Sequence, residues 1–144
     1  MSKLIQYGAV LLACFMLPPS ARAEQAYPTQ DLLSTQVTVT GEEIRYPTSG
    51  PARVTVSIVT IPPGTIAKIH RHPVPLVGYV LEGELTVDYG NHGKKTFRKG
   101  DALVETLNVP HRGMNLGQDV VRILAIYLGA DGIPNVLLEE TPQP

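Results

Sequence analysis

Gly64-Thr65-Ile66-Ala67-Lys68-Ile69-His70-Arg71-His72, closed by Pro73 and Pro75 and followed by Tyr79-Val80-Leu81-Glu82-Gly83, is the stretch on which the fold is read. β-branched residues precede a His-x-His pair, prolines stop the run, and a second apolar run ends at a glycine turn. Side chains two apart on a strand point to one face, so His70 and His72 are within reach of a single ion. A third histidine, His111, lies about 40 residues on, in another strand-turn region. Neutral imidazoles suit Zn, Cu, Fe and Ni. Three of them leave a coordination position open for water or substrate.

Strand signals recur at short intervals on both sides of this stretch. Residues 36–40 alternate with β-branched side chains. Residues 52–61 do the same, with Val54, Val56 and Ile58 on one face and Thr55 and Ser57 on the other. Pro62-Pro63-Gly64 makes a turn into a strand over 66–72. A strand over 78–81, a turn at Glu82-Gly83 and a strand over 85–89 follow. Gly90-Asn91-His92-Gly93 turns the chain into 95–98, and Lys99-Gly100-Asp101 turns it into 102–105. The run 120–128 is apolar on both alternating faces apart from Arg122, which predicts a central strand covered on both sides. The fold class is all-β. Residues 24–50 form an N-terminal arm with the first strands, 51–130 the barrel core, and 131–144 a tail with one short element.

Composition narrows the chemistry. Gly and Pro make up 26 of the 144 residues, which suits short strands and turns better than long helices. A formal net charge of −1 leaves no electrostatic footprint for nucleic acid. The one cysteine, Cys14, lies in the first 23 residues, which read as a signal peptide. There Lys3 precedes an apolar run that breaks at Pro18-Pro19, and Ala21-Arg22-Ala23 offers the cleavage site. The run is too short for a membrane span. A rival reading takes Leu11-Leu12-Ala13-Cys14 as a lipobox, with a lipid anchor at Cys14. Cleavage after Ala23 leaves 121 residues with a net charge of −3 and no cysteine. The expected location is the periplasm or the exterior. Disulfide, thiol and CxxC chemistry are excluded there.

Gly64, His70-x-His72 and Gly83 resemble the first motif of the cupin superfamily, Gly-x5-His-x-His-x3-Glu-x6-Gly. Gly100-Asp101, His111 and Asn115 resemble the second, Gly-x5-Pro-x-Gly-x2-His-x3-Asn. The likeness runs roughly from Val54 to Leu128. It implies a double-stranded β-helix, or jelly-roll barrel, with a divalent transition metal (Zn, Cu, Fe, Ni or Mn) held by His70, His72 and His111. It also implies a small-molecule ligand and a homodimer. The departures are informative. The glutamate ligand of the family falls on Leu76, which cannot bind a metal. The proline and glycine of the second motif fall on Thr106 and Asn108. Without a carboxylate ligand, a divalent site keeps a charge of about +2 rather than about +1, which favours an anion or hydroxide.

Further residues are candidates at the site. Glu105, in the strand before His111, is the best placed carboxylate, as a fourth ligand or as an acid/base. Lys68 shares strand parity with His70 and His72 and is a candidate anion holder. Tyr79 is a candidate hydroxyl donor, set against the commoner packing role of a strand Tyr, and Asn115 a candidate substrate contact, set against the favoured role of satisfying backbone groups near the second motif. Arg71 and Arg112 alternate with the ligands and face the other way. Three functions remain open: a metal enzyme of dioxygenase, isomerase, hydrolase or lyase type, a non-catalytic metal- or ligand-binding module, and a structural barrel with a vestigial site. Fold alone does not choose among them.

Overall fold

A computed structural model describes residues 27–139. The signal-peptide and lipobox readings fall outside the described residues. The chain divides into two compact units, Met1–Gln30 and Asp31–Pro144. In the first, residues 27–30 are exposed and lack regular structure. All strands described here belong to the second. Among the described residues no helix is long and apolar enough to cross a membrane.

The strands are β1 (Ala52–Ile61), β2 (His70–Arg71), β3 (Leu76–Glu82), β4 (Glu84–Asp88), β5 (Lys94–Arg98), β6 (Ala102–Val104), β7 (Arg112–Met114), β8 (Val121–Ala130) and β9 (Leu137–Leu138). They make a four-stranded antiparallel sheet in the order β1-β8-β3-β6, a three-stranded sheet β5-β4-β7, and a β2-β9 pair. Side chains from the first two sheets meet across the interior. One core cluster joins Ile61 and Val121 to Leu85, Val87 and Tyr89. A second gathers Val74, Leu76, Ala125 and Tyr127. This is the double-stranded β-helix expected from the sequence.

β1 covers the ten residues expected. Its inward face carries Thr55, Ser57, Val59 and Ile61, while Val54, Val56 and Ile58 are turned to the surface. The turn after β3 needs Gly83: its φ is 77°, and a Cβ there would sit 2.5 Å from the Val120 carbonyl oxygen. Asn108, in place of the glycine of the family motif, takes a φ of 56°. Asn accepts this left-handed region better than most residues.

Three expectations need correction. Residues 36–40 are not a strand; Val37 makes a lone bridge to Glu43, and the chain turns between them. The reason lies in the side chains. The Thr38, Thr40 and Thr106 hydroxyls all donate to one Glu42 carboxylate oxygen, at 2.6 Å from Thr38 and 2.7 Å from Thr106. Such local bonds compete with a ladder. The strand over 66–72 is reduced to a bridge at Ile66 and the two residues of β2. β8 is central, but Leu124, Ile126 and Leu128 on its outer face are only half-buried, so it is not fully covered on both sides.

The Glu42 knot fastens the arm to the barrel. Burial alone would raise the Glu42 pKa, but hydrogen bonds from Thr38, Thr40, Thr106 and the Leu107 N–H outweigh it and hold the carboxyl below its ordinary 4.5. Folding therefore favours the ionised form, and this contribution is complete above the ordinary value and lost as the pH falls through the depressed one. In urea unfolding, Glu42→Gln should be less stable than the wild type at pH 6, and the gap should narrow steadily as the pH is lowered below the ordinary 4.5. A gap independent of pH would show that the charge is not what holds the arm.

Candidate metal centre

The ligand triad is built by backbone pairing. His70 and His111 form an antiparallel bridge and exchange two hydrogen bonds: the His70 N–H donates to the His111 carbonyl at 2.9 Å, and the His111 N–H to the His70 carbonyl at 2.8 Å. Opposed residues in such a pair send their side chains to the same face. His72, two residues on, joins them. One ring nitrogen from each of the three lies within 4.8 Å of the others. His72 and His111 are buried and His70 is half-buried.

Each ring is held by its other nitrogen. His70 Nδ1 donates to the Lys68 carbonyl at 2.8 Å, His72 Nδ1 to the Asn135 carbonyl at 2.8 Å, and His111 Nδ1 to the Val109 carbonyl at 2.9 Å. A carbonyl can only accept, so each proton sits on Nδ1 and the Nε2 lone pair is left free. This is the outer arrangement that orients metal-bound imidazoles. Burial lowers the pKa of all three, that of His72 to about 4. The rings are therefore neutral at pH 7 without a counter-charge. Three neutral, fixed, convergent nitrogens fit a divalent transition metal.

The triad opens into a cavity of about 380 Å³ between the sheets. Its walls are mainly Val59, Ile61, Leu85, Val87, Leu103 and Ile123. Leu76 lines it, as expected, and so does Glu105. The Glu105 N–H donates to the Leu76 carbonyl at 2.8 Å, one step beyond the Val77–Val104 pair. Leu76 and Glu105 are thus opposite each other on neighbouring strands, with both side chains turned inward. A carboxylate is present one strand away from the position where the family motif has it. Glu105 Oε2 lies 3.9 Å from His111 Nε2, and Oε1 accepts from the Thr106 N–H at 2.9 Å. Burial pushes the Glu105 carboxyl above its ordinary value, with the Thr106 N–H opposing the shift. The Tyr89 hydroxyl is buried and has no hydrogen-bond partner among the described residues. It is near enough for it and Glu105 to shift each other's ionisation, yet falls short of bonding geometry.

Lys68, Tyr79 and Asn115 are not brought to the cavity. The chain is irregular between Ile66 and β2, so the two-residue parity slips. Ala67 lines the cavity, the Lys68 side chain is exposed, and only the Lys68 carbonyl serves the site. Tyr79 has the wrong parity on β3, where Leu76 and Gly78 face inward. Asn115 is fully buried behind the wall. Its Nδ2 donates to the Ile61 and Asp119 carbonyls at 2.9 and 2.8 Å, and its Oδ1 accepts from the Gly117 N–H at 3.1 Å. Arg71 and Arg112 face away, as expected, and pair with Glu139 at 2.8 Å and Asp88 at 3.3 Å. Sequence reasoning missed Tyr127, which lines the cavity with its ring centroid 5.7 Å from that of His72. It also missed the tail, whose Asn135 carbonyl holds His72 and whose Val136 lines the cavity. No local pattern marks either one.

A double-stranded β-helix with a three-histidine pocket is a cupin architecture, and the comparisons agree. The Cupin domain family matches residues 57–127. The chain belongs to the cupin superfamily. No curated protein matches it by sequence. Among solved structures it is similar to DMSP lyase DddQ from Ruegeria pomeroyi, with TM-score 0.54, 20% identity, and coverage of 63% of this chain and 45% of that one. It is similar to an oxalate decarboxylase from Lactobacillus farciminis, with TM-score 0.52, 22% identity, and coverage of 59% and 26%. It is also similar to an uncharacterized conserved protein with a double-stranded beta-helix domain from Klebsiella pneumoniae, with TM-score 0.52, 19% identity, and coverage of 75% and 100%. The match spans less than half of the lyase and about a quarter of the decarboxylase. At these identities the likeness speaks for the fold.

Replacing Asn115 by Ala removes one buried hydrogen bond, with the Ile61 carbonyl, and two part-buried ones, with the Asp119 carbonyl and the Gly117 N–H. Asn115→Ala should cost about 2–4 kcal/mol in urea unfolding and leave the metal content per folded molecule unchanged. Loss of metal without loss of stability would return Asn115 to the site.

Proposed function

We propose that this chain is an exported, divalent-metal-dependent cupin that acts on a small organic molecule, with His70, His72 and His111 as ligands and Glu105 as its proton-handling carboxyl. The observation that carries the reading is the pinning of all three Nδ1 atoms to backbone carbonyls, which leaves three Nε2 lone pairs converging with no donor among the described residues to meet them. A divalent ion held there supplies Lewis acidity to an oxygen atom of the substrate. The apolar walls exclude water from the bound molecule. Glu105 Oε2, beside the ligand nitrogen of His111, accepts or returns one proton. A single carboxyl suits lyase or isomerase chemistry, in which one proton moves; a dioxygenase reaction would show as oxygen uptake. The lyase and the decarboxylase among the similar structures act on small organic molecules, which supports the class and not the substrate.

Leu76 in place of a carboxylate favours a second reading, a binding module without turnover. Metal analysis of the untagged mature protein separates these from a vestigial barrel. About one equivalent of metal is expected, falling below a tenth in His72→Ala/His111→Ala; less than a tenth in both proteins after reloading would sink the proposal. Glu105→Gln should keep the metal and lose turnover on phenols, thiols or β-dicarbonyls. Full metal with no turnover by the wild type would favour the binding module.

The subunit reading is a homodimer. Val54, Val56 and Ile58 on β1, an edge of its sheet, are 61, 61 and 47% exposed. They adjoin Leu128, Ile126 and Leu124 in register, and these adjoin Val77 and Tyr79 on β3. A continuous apolar face of this kind marks an interface. Sedimentation should show a dimer that Val56→Lys converts to a folded monomer. A monomeric wild type would end this reading.

A further inference from the structure

The charge map of the cavity narrows what it can hold. Among the described residues, no lysine or arginine lines it, and neither does any asparagine or glutamine. The cations nearest the ligands in sequence are disposed of: Lys68 is exposed, Arg71 is paired with Glu139 and Arg112 with Asp88. Three histidines and Glu105 occupy one part of the wall. Apart from Thr60, Thr65 and Tyr127, the remaining lining side chains are apolar or glycine. A cavity near 380 Å³ is at the small end of the usual range for small-molecule sites.

We propose that the cavity selects a monoanion with its charge at one end and an uncharged apolar body, and rejects dianions and zwitterions of the same length. The inference rests on the metal reading above, because the neutral triad leaves the charge of the ion to attract one anionic head. The body then lies against Val59, Ile61, Leu85, Leu103 and Ile123. A second carboxylate among these side chains would be desolvated with no cation to meet it, only the neutral hydroxyls of Thr60, Thr65 and Tyr127 elsewhere on the wall. The one lining carboxyl among the described residues that could pair with a terminal ammonium is Glu105, which lies at the triad beside His111, where the head itself binds.

The experiment uses three probes of equal chain length on the zinc-loaded mature protein. Zinc uptake is measured first, then hexanoate, hexanedioate and 6-aminohexanoate are titrated by calorimetry. Hexanoate should bind at least about tenfold more tightly than either of the others, and its binding should vanish when zinc is removed. A ratio below ten for either probe, or no binding of hexanoate to protein that holds zinc, overturns the selectivity and leaves the metal reading standing. Failure to take up zinc or any other divalent transition metal overturns both.

Discussion

Two backbone hydrogen bonds between His70 and His111 set the position of everything at the site. They hold two imidazoles side by side on one face of a short antiparallel pair, and the alternation of side chains along β2 brings in His72. The rest of the barrel serves this geometry. The loop before His111 supplies the Val109 carbonyl, the chain before β2 the Lys68 carbonyl, and the tail the Asn135 carbonyl. With every Nδ1 engaged, the rings cannot rotate freely and their free nitrogens remain aimed at one point. Three such fixed rings lose little freedom when they bind an ion, which is the advantage of a site formed before its metal arrives.

Pairing of the same kind, between Leu76 and Glu105 beside the β3–β6 ladder, sets a carboxyl next to Leu76. Strand neighbours in register share a face, so a carboxylate at Glu105 reaches the cavity from across the ladder. It is not equivalent to one at 76. Glu105 is buried against His111 and Tyr89, and burial favours its protonated form. A group that holds a proton beside the ligands is suited to transfer it; one that is always ionised is suited to ligation. The loss of the carboxylate ligand therefore changes the character of the site. On the function proposed here, a divalent ion at the triad would keep more of its charge and Glu105 would handle the proton from one strand away.

Most of the architecture was legible because its signals are local. Alternation over β1, the glycine turn at Gly83 and the hairpin between β4 and β5 each follow from residues within a few positions of one another. Gly83 carries two constraints at once, a positive φ and the Val120 carbonyl 2.5 Å from where a Cβ would be. The errors have a common cause as well. Residues 36–40 alternate like a strand, but their threonines are engaged by Glu42 and by the distant Thr106. Lys68 was placed inward by counting in twos through a segment that is not regular. Asn115 does what its place in the second motif favoured, satisfying backbone groups, and three of them consume the hydrogen bonds a substrate would need.

Read alone, the residues specify a β-rich domain, its turns and three histidines that two short motifs set within reach of each other, because period and turn chemistry act over a few bonds. Which face of β1 would be buried was not among these. Its stripe of Val54, Val56 and Ile58 is the more apolar, yet it lies outside while Thr55 and Ser57 point in. Only closure of the barrel settles that, since the register with β8 and the space left by the opposing sheet apply to the strand as a whole. Closure likewise places Glu105 across from Leu76, keeps the lysines and arginines of the described residues off the cavity wall and carries Asn135 to His72, 63 positions away in sequence. Contacts of that range leave no periodic trace in a chain, because the partner on each side is chosen by shape and not by spacing.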